Sequence, residues 1–588
     1  MMVMDNSQGV KNMYGMGMKM LPAGIENFEE ICTEGYYYVD KTALIRELLQ
    51  KRGKVNLFTR PRRFGKTLNM SMLRHFFEFG QEKPAFDGTE ISKDTSLCRA
   101  YMGRFQAVSV SLKSVNGADY ETARAVLCAV IGSEALRFEE LLSSDKLSDR
   151  EKELYEQLIT VDKTGQGVYA MPQPVLMGSL RTLTVLLEKH YGRKVILLID
   201  EYDVPLAKAE EQGYYDQMLF LVRSLFEQAL KTNDSLYFAV LTGCLRISKE
   251  SIFTGLNNMI LFSITDAECS SYFGFTDDEV KKMLDDYHLG GKYEIIREWY
   301  DGYRFGDTDV YCPWDVISYV RKLLAKPSLP PQDYWSNTSS NDAVKKLLEK
   351  ASSGTRDEVE RLISGEPVWK AVREELTYKE LYDDVENVWG ILFAAGYLTQ
   401  RGEAAGNMRQ LAIPNREIHN IFMTKIREWM QEKARADKKR LQAFCEAFQN
   451  ADAAAVQQIF TQFLIETVSV RDTAVRKELK ENFYHGFLLG LLRFREDWKT
   501  ISNRESGMGY ADICIEMPSE KRAVVIELKY AENGNLKAGC RAAMCQIQEK
   551  GDKNLPFLNG WNPVTACGMA CHGKECMAVF ETAGKEEK

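Results

Sequence analysis

The residues whose spacing points most directly to chemistry are Gly65, Lys66 and Thr67, which close a basic turn. The short apolar run Val55–Thr59 precedes this turn, and apolar residues at helical spacing follow it. A strand, a loop and a helix in this order can bind phosphate, because the amides at the helix start favour an anion and glycine lets the backbone approach it. The lysine can reach the β- and γ-phosphates, and the threonine hydroxyl can bind Mg²⁺. We therefore predict a nucleotide site formed by Arg60, Pro61, Arg62, Arg63, Phe64, Gly65, Lys66 and Thr67.

The predicted loop departs from the spacing G-x-x-x-x-G-K-[ST] at one position, because Arg60 stands where the first glycine is expected. Tripeptides such as Gly-Lys-Thr also occur by chance at helix starts. An ordinary helix start is therefore the alternative for the loop taken alone.

A second motif, the continuous apolar run Val195–Ile199, ends in Asp200 and Glu201. Such a run predicts a strand buried on both faces, and its acids would emerge at the carboxyl edge of the sheet, where ligands of open α/β sheets bind. Asp200 suits Mg²⁺, which it would hold together with Thr67, and Glu201 suits deprotonation of an attacking water. A solvated strand end is the alternative for the two acids alone.

Two polar residues and one aromatic run are further candidates for this site. Thr242 ends the apolar run 237–241 level with the acids, so it can sense the γ-phosphate or, alternatively, cap the following turn. Arg246 can stabilise phosphate charge, or it is an ordinary surface arginine. The run Tyr36–Tyr38 is expected to form a short strand that either covers an adenine base or packs on the sheet edge.

The composition is that of a large globular protein. At 588 residues, 45% of them hydrophobic, the chain has room for about three or four domains. The 76 basic and 84 acidic residues give a net charge of −8, so contacts with nucleic acid must come from local basic patches. The 13 cysteines are odd in number and scattered, and no apolar run approaches the ~18 residues of a membrane span. We therefore expect reduced thiols, a cytoplasmic location and no membrane partner.

The hydrophobic pattern predicts an α/β fold in three parts, at residues 21–270, 271–433 and 434–588. Strands alternate with helices in the first part, which implies a mostly parallel sheet. The middle part is mainly helical, and the stretches 388–399 and 408–415 suggest a winged-helix-like module with a two-stranded wing and a structural or lid role. Further strands are expected in the first part at 105–112, 237–243 and 259–264, with two long helical stretches between 112 and 190.

The last hundred residues contain a second candidate site on two adjacent strands. Glu527 and Lys529 lie on one face of their predicted strand because successive side chains alternate, and Asp512 can face them from the strand before. The two carboxylates and the carbonyl of Leu528 make an oxygen-rich Mg²⁺ site that can polarise a phosphodiester. Lys529 can orient a water or neutralise charge in the transition state.

Other polar residues can support this second site. Gln546 lies on the following helix, and Glu481 and Glu505 are candidates for a further carboxylate. The alternative is an exposed hairpin in which Glu-x-Lys forms an ordinary ion pair on one face.

The C-terminal cysteines do not form a standard zinc motif. Cys567, Cys571, His572 and Cys576 have the spacing Cys-x₃-Cys-His-x₃-Cys. A hairpin that turns at residues 572–574 describes this stretch better.

Several motifs occur in an order that resembles one family. From about Leu21 to Phe580 the chain resembles the bacterial AAA-ATPase-like proteins that carry a C-terminal PD-(D/E)XK nuclease-superfamily domain. The resemblance implies a P-loop AAA-type parallel sheet domain, a helical and winged-helix-like middle, and a PD-(D/E)XK-like α/β domain. The motifs are Val39–Thr42, Arg60–Thr67, Ile199–Asp203, Leu241–Gly243, Trp299–Tyr303, Ile413–Asn415, Gly509–Asp512 and Glu527–Lys529.

The resemblance implies roles for individual residues and marks Arg60 as a family trait. Two departures from the family pattern concern residues that would bind the substrate rather than the metal. A tyrosine expected four to six residues after the helix glutamine is replaced by residues 550–552, and Tyr510 stands where an arginine is frequent. The implied ATPase residues, with ATP and Mg²⁺ as cofactors, are Lys66, Thr67, Asp200 and Glu201, and the implied nuclease residues are Asp512, Glu527, Lys529 and Gln546.

Three functions remain open from the sequence. The first is an ATPase whose nucleotide state controls a metal-dependent nuclease acting on DNA, with RNA as a further possible substrate. The second is a nucleotide-dependent switch that binds nucleic acid or protein without cleaving it. The third is an interaction protein in which both sites have decayed. AAA-type modules often act as rings in which a neighbour supplies an arginine finger, so a homo-oligomer is a further expectation.

Overall fold

A computed structural model describes residues 18–80, 83–161, 169–245, 259–335, 342–350, 353–373, 380, 384–467, 477–506, 509–549 and 561–582. The chain divides into two compact units. The first comprises the residues up to 339 and 369–418, and the second comprises 340–368 and 419 onward. The middle part expected at 271–433 thus contributes residues to both units. The three expected domain boundaries stay a prediction.

The first unit is built on a parallel sheet, as the alternation of strands and helices predicted. Its strands lie in the order β2-β3-β4-β1-β5, and every neighbouring pair is parallel. β1 and β3 are buried along their whole length, which explains their continuous apolar sequences. The five strands are β1 (Val55–Thr59), β2 (Ala107–Ser111), β3 (Val195–Asp200), β4 (Leu236–Gly243) and β5 (Met259–Phe262).

The strand register brings the candidate residues to one edge of this sheet. Thr59 at the end of β1 pairs with Gly243 at the end of β4, and Ile199 on β3 pairs with Leu241 on β4. The loop after β1 and the acids after β3 therefore lie on either side of β4, at its carboxyl end.

The helices that flank the sheet differ from the expectation at two places. Three helices, α5 to α7, occupy the region where two long helical stretches were expected. Tyr36–Val39 is not a strand, because this segment pairs with no neighbouring strand. The helices are α1 (Phe28–Thr33), α2 (Ala43–Lys51), α3 (Lys66–Phe77), α4 (Thr95–Tyr101), α5 (Tyr120–Leu136), α6 (Asp149–Ile159), α7 (Gln173–Tyr191), α8 (Val204–Gln212) and α9 (Tyr215–Phe226).

The rest of the first unit contains short helices, a small hairpin and a second sheet. The wing has three strands rather than two, because β8 pairs with β10 on the side away from β9. The aromatic-rich stretch from Trp299 to Trp314 packs inside the unit, since Tyr300, Tyr303 and Tyr311 are buried. The elements are α10 (Asp277–Asp286), α11 (Tyr293–Tyr300), β6 (Tyr303–Phe305), β7 (Thr308–Val310), α12 (Pro313–Ala325), β8 (Val368–Ala371), α15 (Val385–Ala394), β9 (Thr399–Ala405) and β10 (Met408–Ala412).

The second unit combines helices with a mixed sheet in the order β11-β12-β13-β14-β15. All neighbouring strands are antiparallel except β13 and β14, which are parallel. The strands are β11 (Lys499–Ser506), β12 (Gly509–Met517), β13 (Arg522–Tyr530), β14 (Val564–His572) and β15 (Glu575–Thr582). The helices are α13 (Asp342–Lys350), α14 (Ser353–Ile363), α17 (Lys438–Gln449), α18 (Ala453–Thr467), α19 (Lys477–Leu492) and α20 (Leu536–Glu549), and α16 (Arg416–Ala436) begins in the first unit and continues in the second.

The C-terminal cysteines lie in a hairpin, as expected. β14 ends at His572 and β15 begins at Glu575, and all 13 cysteines of the chain are described and free of disulfides. Among the described residues, no group of three or more His, Cys, Asp or Glu side chains is arranged to hold a metal ion. A search of the same residues finds no helix with the length and apolar character needed to cross a membrane.

Candidate functional site

The loop between β1 and α3 folds around the side chain of Lys66. Gly65 precedes α3 with φ +80°, a conformation in which residues with a Cβ are strained. Lys66 Nζ donates to the carbonyl oxygens of Arg60 and Pro61, at 3.1 Å each. The loop therefore holds the ammonium group at its centre, where the first turn of α3 begins.

Lys66 also reaches the acid that follows β3. Its Nζ forms an ion pair with Glu201 Oε1 at 3.2 Å, and the lysine side chain is only 2% exposed. Burial alone would lower the pKa of Lys66, but the neighbouring Cys244 and the carboxylates of Glu201 and Asp200 outweigh burial and hold this pKa above its usual value. The lysine is thus a charged group inside the protein, directly beside the acidic end of β3.

Asp200 links the loop helix to the neighbouring strand. Its Oδ2 accepts a hydrogen bond of 2.8 Å from the hydroxyl of Thr67, and its Oδ1 accepts one from the hydroxyl of Thr242. Burial, and then the charge of Glu201, raise the pKa of Asp200 against the lowering effect of these hydrogen bonds. Three polar side chains that are far apart in the sequence therefore meet at the carboxyl edge of the sheet.

Glu201 occupies an unusual backbone conformation at the same place. Its φ is +52°, in the left-handed region, and its N–H donates to the hydroxyl of Thr242 at 3.3 Å. Its Oε1 contacts Lys66, whereas Oε2 is buried and accepts no hydrogen bond from the described residues. One carboxylate oxygen is therefore available for a group that the protein itself does not supply.

A cavity of about 540 Å³ opens in front of this edge, which is within the usual range for small-molecule sites. Its lining includes the loop from Arg62 to Thr67 and Glu201. It also includes Tyr38 and Val39 from the segment before α2 and Trp314 from α12. Charged loop residues together with aromatic and apolar side chains suit a ligand with a phosphate chain and a ring system.

The aromatic run before α2 lines this cavity with two of its members. Tyr37 and Tyr38 contribute to the wall, and their hydroxyls are held by Asp286 and by the main chain at Lys41. Neither tyrosine lies in a strand. The run therefore sits where a base could pack, as one of the two interpretations expected.

Not every residue of the loop faces the cavity. Arg62 is exposed at the cavity, whereas Arg63 donates to the carbonyl of Tyr334 at 3.0 Å and Phe64 packs against Tyr303. Pro61 lies outside the lining and contributes its carbonyl to Lys66. All the residues from Arg62 to Thr67 line the cavity, whereas Arg60 and Pro61 do not.

Arg60 is a correction to the expected nucleotide contacts. Its side chain is fully buried and does not line the cavity. The guanidinium donates to the carbonyls of Thr59, Phe262 and Cys269 at 2.8, 2.7 and 3.5 Å. The side chain is turned into the protein because the end of β5 offers it acceptors, so its only link to the centre of the loop is its main-chain carbonyl. Arg246, the other arginine expected near phosphate, lies outside the described residues.

Sequence reasoning missed Asp203 and Cys244 as parts of the site. Asp203 Oδ2 accepts hydrogen bonds from the N–H groups of Cys244 and Leu245 at 2.9 and 3.0 Å, which ties the turn after β3 to the end of β4. Burial, and then the charge of Glu201, raise the pKa of Asp203 to about 6. The signal available in the sequence was an acid three residues after Asp200, at the start of α8.

The second candidate site lies in the second unit, on β12, β13 and α20. Leu528 N–H donates to Asp512 Oδ2 at 2.9 Å, and Ile513 pairs with Ile526, which sets Asp512 opposite Glu527. Lys529 Nζ donates to Glu527 Oε1 at 3.0 Å, and Gln546 Nε2 donates to the same oxygen. The four residues expected at this site are therefore brought together around Glu527.

Helix α19 adds two side chains to this second site. Glu481 Oε1 accepts a hydrogen bond of 3.1 Å from the N–H of Tyr530, next to Lys529. His485, which sequence reasoning missed, donates from Nε2 to the carbonyl of Asp512 at 2.9 Å. The side chains of Glu505 and Tyr510 lie outside the described ones. The helix thus contacts both strands that carry the acids.

Comparisons with known proteins match two separate parts of the chain. Residues 22–253 match the family model described as "Predicted AAA-ATPase". Residues 479–581 match the model of the PD-(D/E)XK nuclease superfamily. A protein described as "Uncharacterized protein in vnfD 5'region", from Azotobacter chroococcum mcd 1, is 27% identical over 456 residues, which cover 76% of this chain and 78% of that protein.

The first match contains the loop around Lys66, the acids after β3 and strand β4, and the second contains Asp512, Glu527, Lys529 and Gln546. The resemblance expected from the motifs is confirmed at this level. The chain combines an AAA-ATPase-like domain at 22–253 with a PD-(D/E)XK nuclease-superfamily domain at 479–581.

Proposed function

We propose that the first unit binds and hydrolyses ATP with Mg²⁺, and that its nucleotide state controls a Mg²⁺-dependent nuclease site for DNA in the second unit. The observation that carries the proposal is the meeting of Lys66, Thr67, Asp200 and Glu201 at the carboxyl edge of the sheet, beside the cavity. Thr67 donates to Asp200 at 2.8 Å while Lys66 pairs with Glu201 at 3.2 Å. Free thiols throughout the chain accord with a cytoplasmic location.

Phosphate binding would work by an exchange of partners at Lys66. The ammonium is held by two loop carbonyls, by Cys244 Sγ at 3.6 Å and by Glu201, and of these Glu201 is the carboxylate that phosphate oxygens can replace. A triphosphate that reaches Lys66 replaces the carboxylate with phosphate oxygens. Glu201 is then released to accept a proton from the attacking water, which is the role of a general base.

The oxygen atoms around Thr67 fit a magnesium ion. A hydroxyl and a carboxylate lie 2.8 Å apart at Thr67 and Asp200, and oxygen donors of this kind are what Mg²⁺ prefers. Thr67 and Asp200 would hold the ion, which when bound would offset the negative charge of the phosphates. Thr242 donates to the other oxygen of Asp200 and accepts from the N–H of Glu201, so it fixes the positions of both acids.

The second site fits a metal through two acids and a carbonyl. Asp512 is half-buried and Glu527 is only 1% exposed, and the carbonyl of Leu528, which lies between Glu527 and Lys529, would be a third oxygen donor. Magnesium commonly binds one or two carboxylates and completes its shell with waters and substrate phosphate. When bound, the ion would polarise a phosphodiester and lower the pKa of a water. Lys529 is placed to neutralise charge in the transition state.

The alternative is a nucleotide-dependent switch whose second unit binds nucleic acid or a protein without cleaving it. One observation favours it, namely that the described residues contain no cluster of three or more metal-ligating side chains. Calorimetric titration with Mn²⁺ separates the two functions. Heat that disappears in Glu527→Gln supports the nuclease, and equal titrations for the wild type and this variant support the switch.

Nucleotide binding is tested with Lys66→Ala and a matched lysine variant. Lys54 immediately precedes β1, at the end of the strand away from the loop, where its Nζ contacts the carbonyl of Leu236, so Lys54→Ala removes a lysine that does not line the cavity. We expect wild type and Lys54→Ala to bind a non-hydrolysable ATP analogue and Lys66→Ala to lose binding by at least about 100-fold. Equal affinities for all three proteins would rule out this site.

Cleavage is tested on linear and circular DNA and on RNA, with Mg²⁺ or Mn²⁺, with and without ATP. Asp512→Ala is compared with Asp497→Ala, whose carboxylate pairs with Arg495 at the surface. We expect the wild type and Asp497→Ala to cleave DNA and Asp512→Ala to lose cleavage. Absence of cleavage by the wild type under all these conditions would remove the nuclease from the proposal and leave the ATPase intact.

A further inference from the structure

Arg60 is a buried positive charge without a negative partner. The side chain is fully buried, and its three hydrogen bonds go to main-chain carbonyls. Its Nε is buried and makes no hydrogen bond to the described residues, and none of the described acids forms an ion pair with the guanidinium. Burial lowers the pKa of Arg60 to about 10, which leaves the group charged at neutral pH.

The nearest acid that acts on Arg60 is already engaged elsewhere. Asp266 is the carboxylate that influences the guanidinium, and its Oδ2 accepts from the N–H and the hydroxyl of Ser263 at 2.6 and 2.8 Å. The rings of Phe273 and Phe305 face the guanidinium at 5.0 and 5.4 Å from its central carbon. Carbonyl dipoles and aromatic faces reduce the free-energy cost of burying the guanidinium, but they do not neutralise its charge.

The position of Arg60 places this charge under the phosphate loop. Its N–H donates to the carbonyl of Gly243 at 3.0 Å, and its own carbonyl accepts from Lys66 at 3.1 Å. The same residue therefore anchors the lysine of the loop on one side and carries the buried guanidinium on the other. An anion bound at Lys66 would be the closest negative charge that is not fixed by the protein itself.

We propose that Arg60 is a positioning residue that attracts the phosphate chain of the nucleotide from behind the loop, through its charge rather than through contact. This inference rests on the proposed nucleotide site. The arginine in place of the usual glycine adds a buried positive charge to a loop that also carries Arg62, Arg63 and Lys66. Because this attraction is a Coulomb interaction between the guanidinium and the phosphates, its contribution to binding grows with the number of negative charges on the ligand.

A purely structural role predicts a different dependence. The guanidinium also ties the end of β1 to Phe262 and Cys269, next to the segment that contains the cavity residues Tyr272 and Phe275. If Arg60 only held this segment in place, its loss would weaken every ligand of the cavity by the same factor. If its charge acts on phosphate, the loss grows with ligand charge and is absent for a neutral nucleoside.

The experiment compares ligands of different charge on the full-length protein. Dissociation constants of ATP, ADP, AMP and adenosine are measured by calorimetry in EDTA at constant ionic strength, so that bound metal does not mask ligand charge. The variants are Arg60→Met, Arg60→Gln as a second neutral form, and Arg60→Lys, which keeps the charge. Arg52→Met is the matched control, because Arg52 also stacks on aromatic rings, at 4.5 Å from Tyr237, but precedes β1 instead of following it.

We expect Arg60→Met to lose roughly threefold in affinity for each negative charge on the ligand, after screening by salt, and to bind adenosine like the wild type. Arg60→Lys should restore most of the difference between ATP and adenosine, and Arg52→Met should match the wild type throughout. An equal loss for all four ligands, no loss, or the unfolding of both neutral variants with and without ATP would overturn the inference. Failure of the wild type to bind any of the four ligands would instead refute the proposed nucleotide site.

Discussion

The carboxyl groups of Asp315 and Glu417 form a buried pair that should make the first unit less stable as pH rises. The substitution Glu417→Gln should remove this pH dependence. Both side chains are fully buried. Glu417 Oε1 accepts hydrogen bonds from the N–H groups of Tyr334 and Trp335, the segment that also holds Arg63 of the phosphate loop. The side chain of Asp315 interacts with both Cys312 and Glu417, and a proton on Glu417 keeps the pair from placing two negative charges side by side inside the protein.

Burial, and then the charge of Asp315, raise the pKa of Glu417 from its ordinary 4.5 to about 10. A carboxyl whose pKa is higher in the folded state takes up a proton on folding between these two values. Stability therefore falls as pH rises through that window, by about 1.4 kcal/mol for each pH unit and proton. Between pH 7 and 8.5 the wild type should lose about 2 kcal/mol of unfolding free energy through Glu417.

Glu417→Gln should abolish this loss, because the amide keeps the acceptor for the two N–H groups and needs no proton. The measurement is the urea-unfolding free energy of the transition in which the first unit unfolds, at pH 7 and at pH 8.5. Glu298→Gln is the control, since Glu298 is a surface acid paired with Arg416, the neighbour of Glu417. Taking the difference between each variant and the wild type removes the contribution of all other titrating groups.

The expected result is that Glu417→Gln gains about 2 kcal/mol on the wild type as pH rises from 7 to 8.5, and that Glu298→Gln gains nothing. Parallel pH dependences for Glu417→Gln and the wild type would refute the reasoning, because they would mean that Glu417 is already ionised in the folded protein. Glu417→Ala should cost about 3–5 kcal/mol at pH 7, since it leaves Asp315 buried without its partner.

Three further predictions concern the two candidate sites. Thr242→Val removes the hydroxyl that donates to Asp200 and accepts from the N–H of Glu201. We expect its affinity for ATP to stay within about threefold of the wild type and its ATP turnover, measured by phosphate release, to be about 10- to 100-fold slower. Gly243→Ala would place a Cβ 2.5 Å from the ring of Tyr202, so we expect about 1–3 kcal/mol of destabilisation, measured by thermal unfolding. Glu527→Gln should weaken Mn²⁺ binding to the second unit at least about tenfold, whereas Glu516→Gln, on the adjacent strand and paired with Lys499, should leave it unchanged.

The parts of the fold that local pattern determines were predictable. The apolar run before Asp200 is a strand buried on both faces, and the loop before Lys66 connects a strand to a helix. Their meeting across β4 followed from the expectation of a parallel sheet, because the carboxyl ends of its strands share one edge.

The parts that long-range packing determines were not predictable in this way. Trp314 and Met283 wall the cavity from segments more than 200 residues after the loop, and no local pattern marks them as partners of Tyr38. β8 is too short to be recognised and Trp369 on it is exposed, so the wing was expected to have two strands. Arg60 was assigned to the ligand by its place in a motif, whereas acceptors at the end of β5 turn its side chain inward.

We propose that a nucleoside triphosphate binds between Lys66 and the two acids at the end of β3, Asp200 and Glu201. The most direct measurement is calorimetric titration of a non-hydrolysable ATP analogue with Mg²⁺ into the wild type and Glu201→Gln. Since Glu201 competes with phosphate for Lys66, at 3.2 Å, its neutral variant should bind the analogue several-fold more tightly while losing hydrolysis. Weaker binding by Glu201→Gln, or no binding by either protein, would contradict the account.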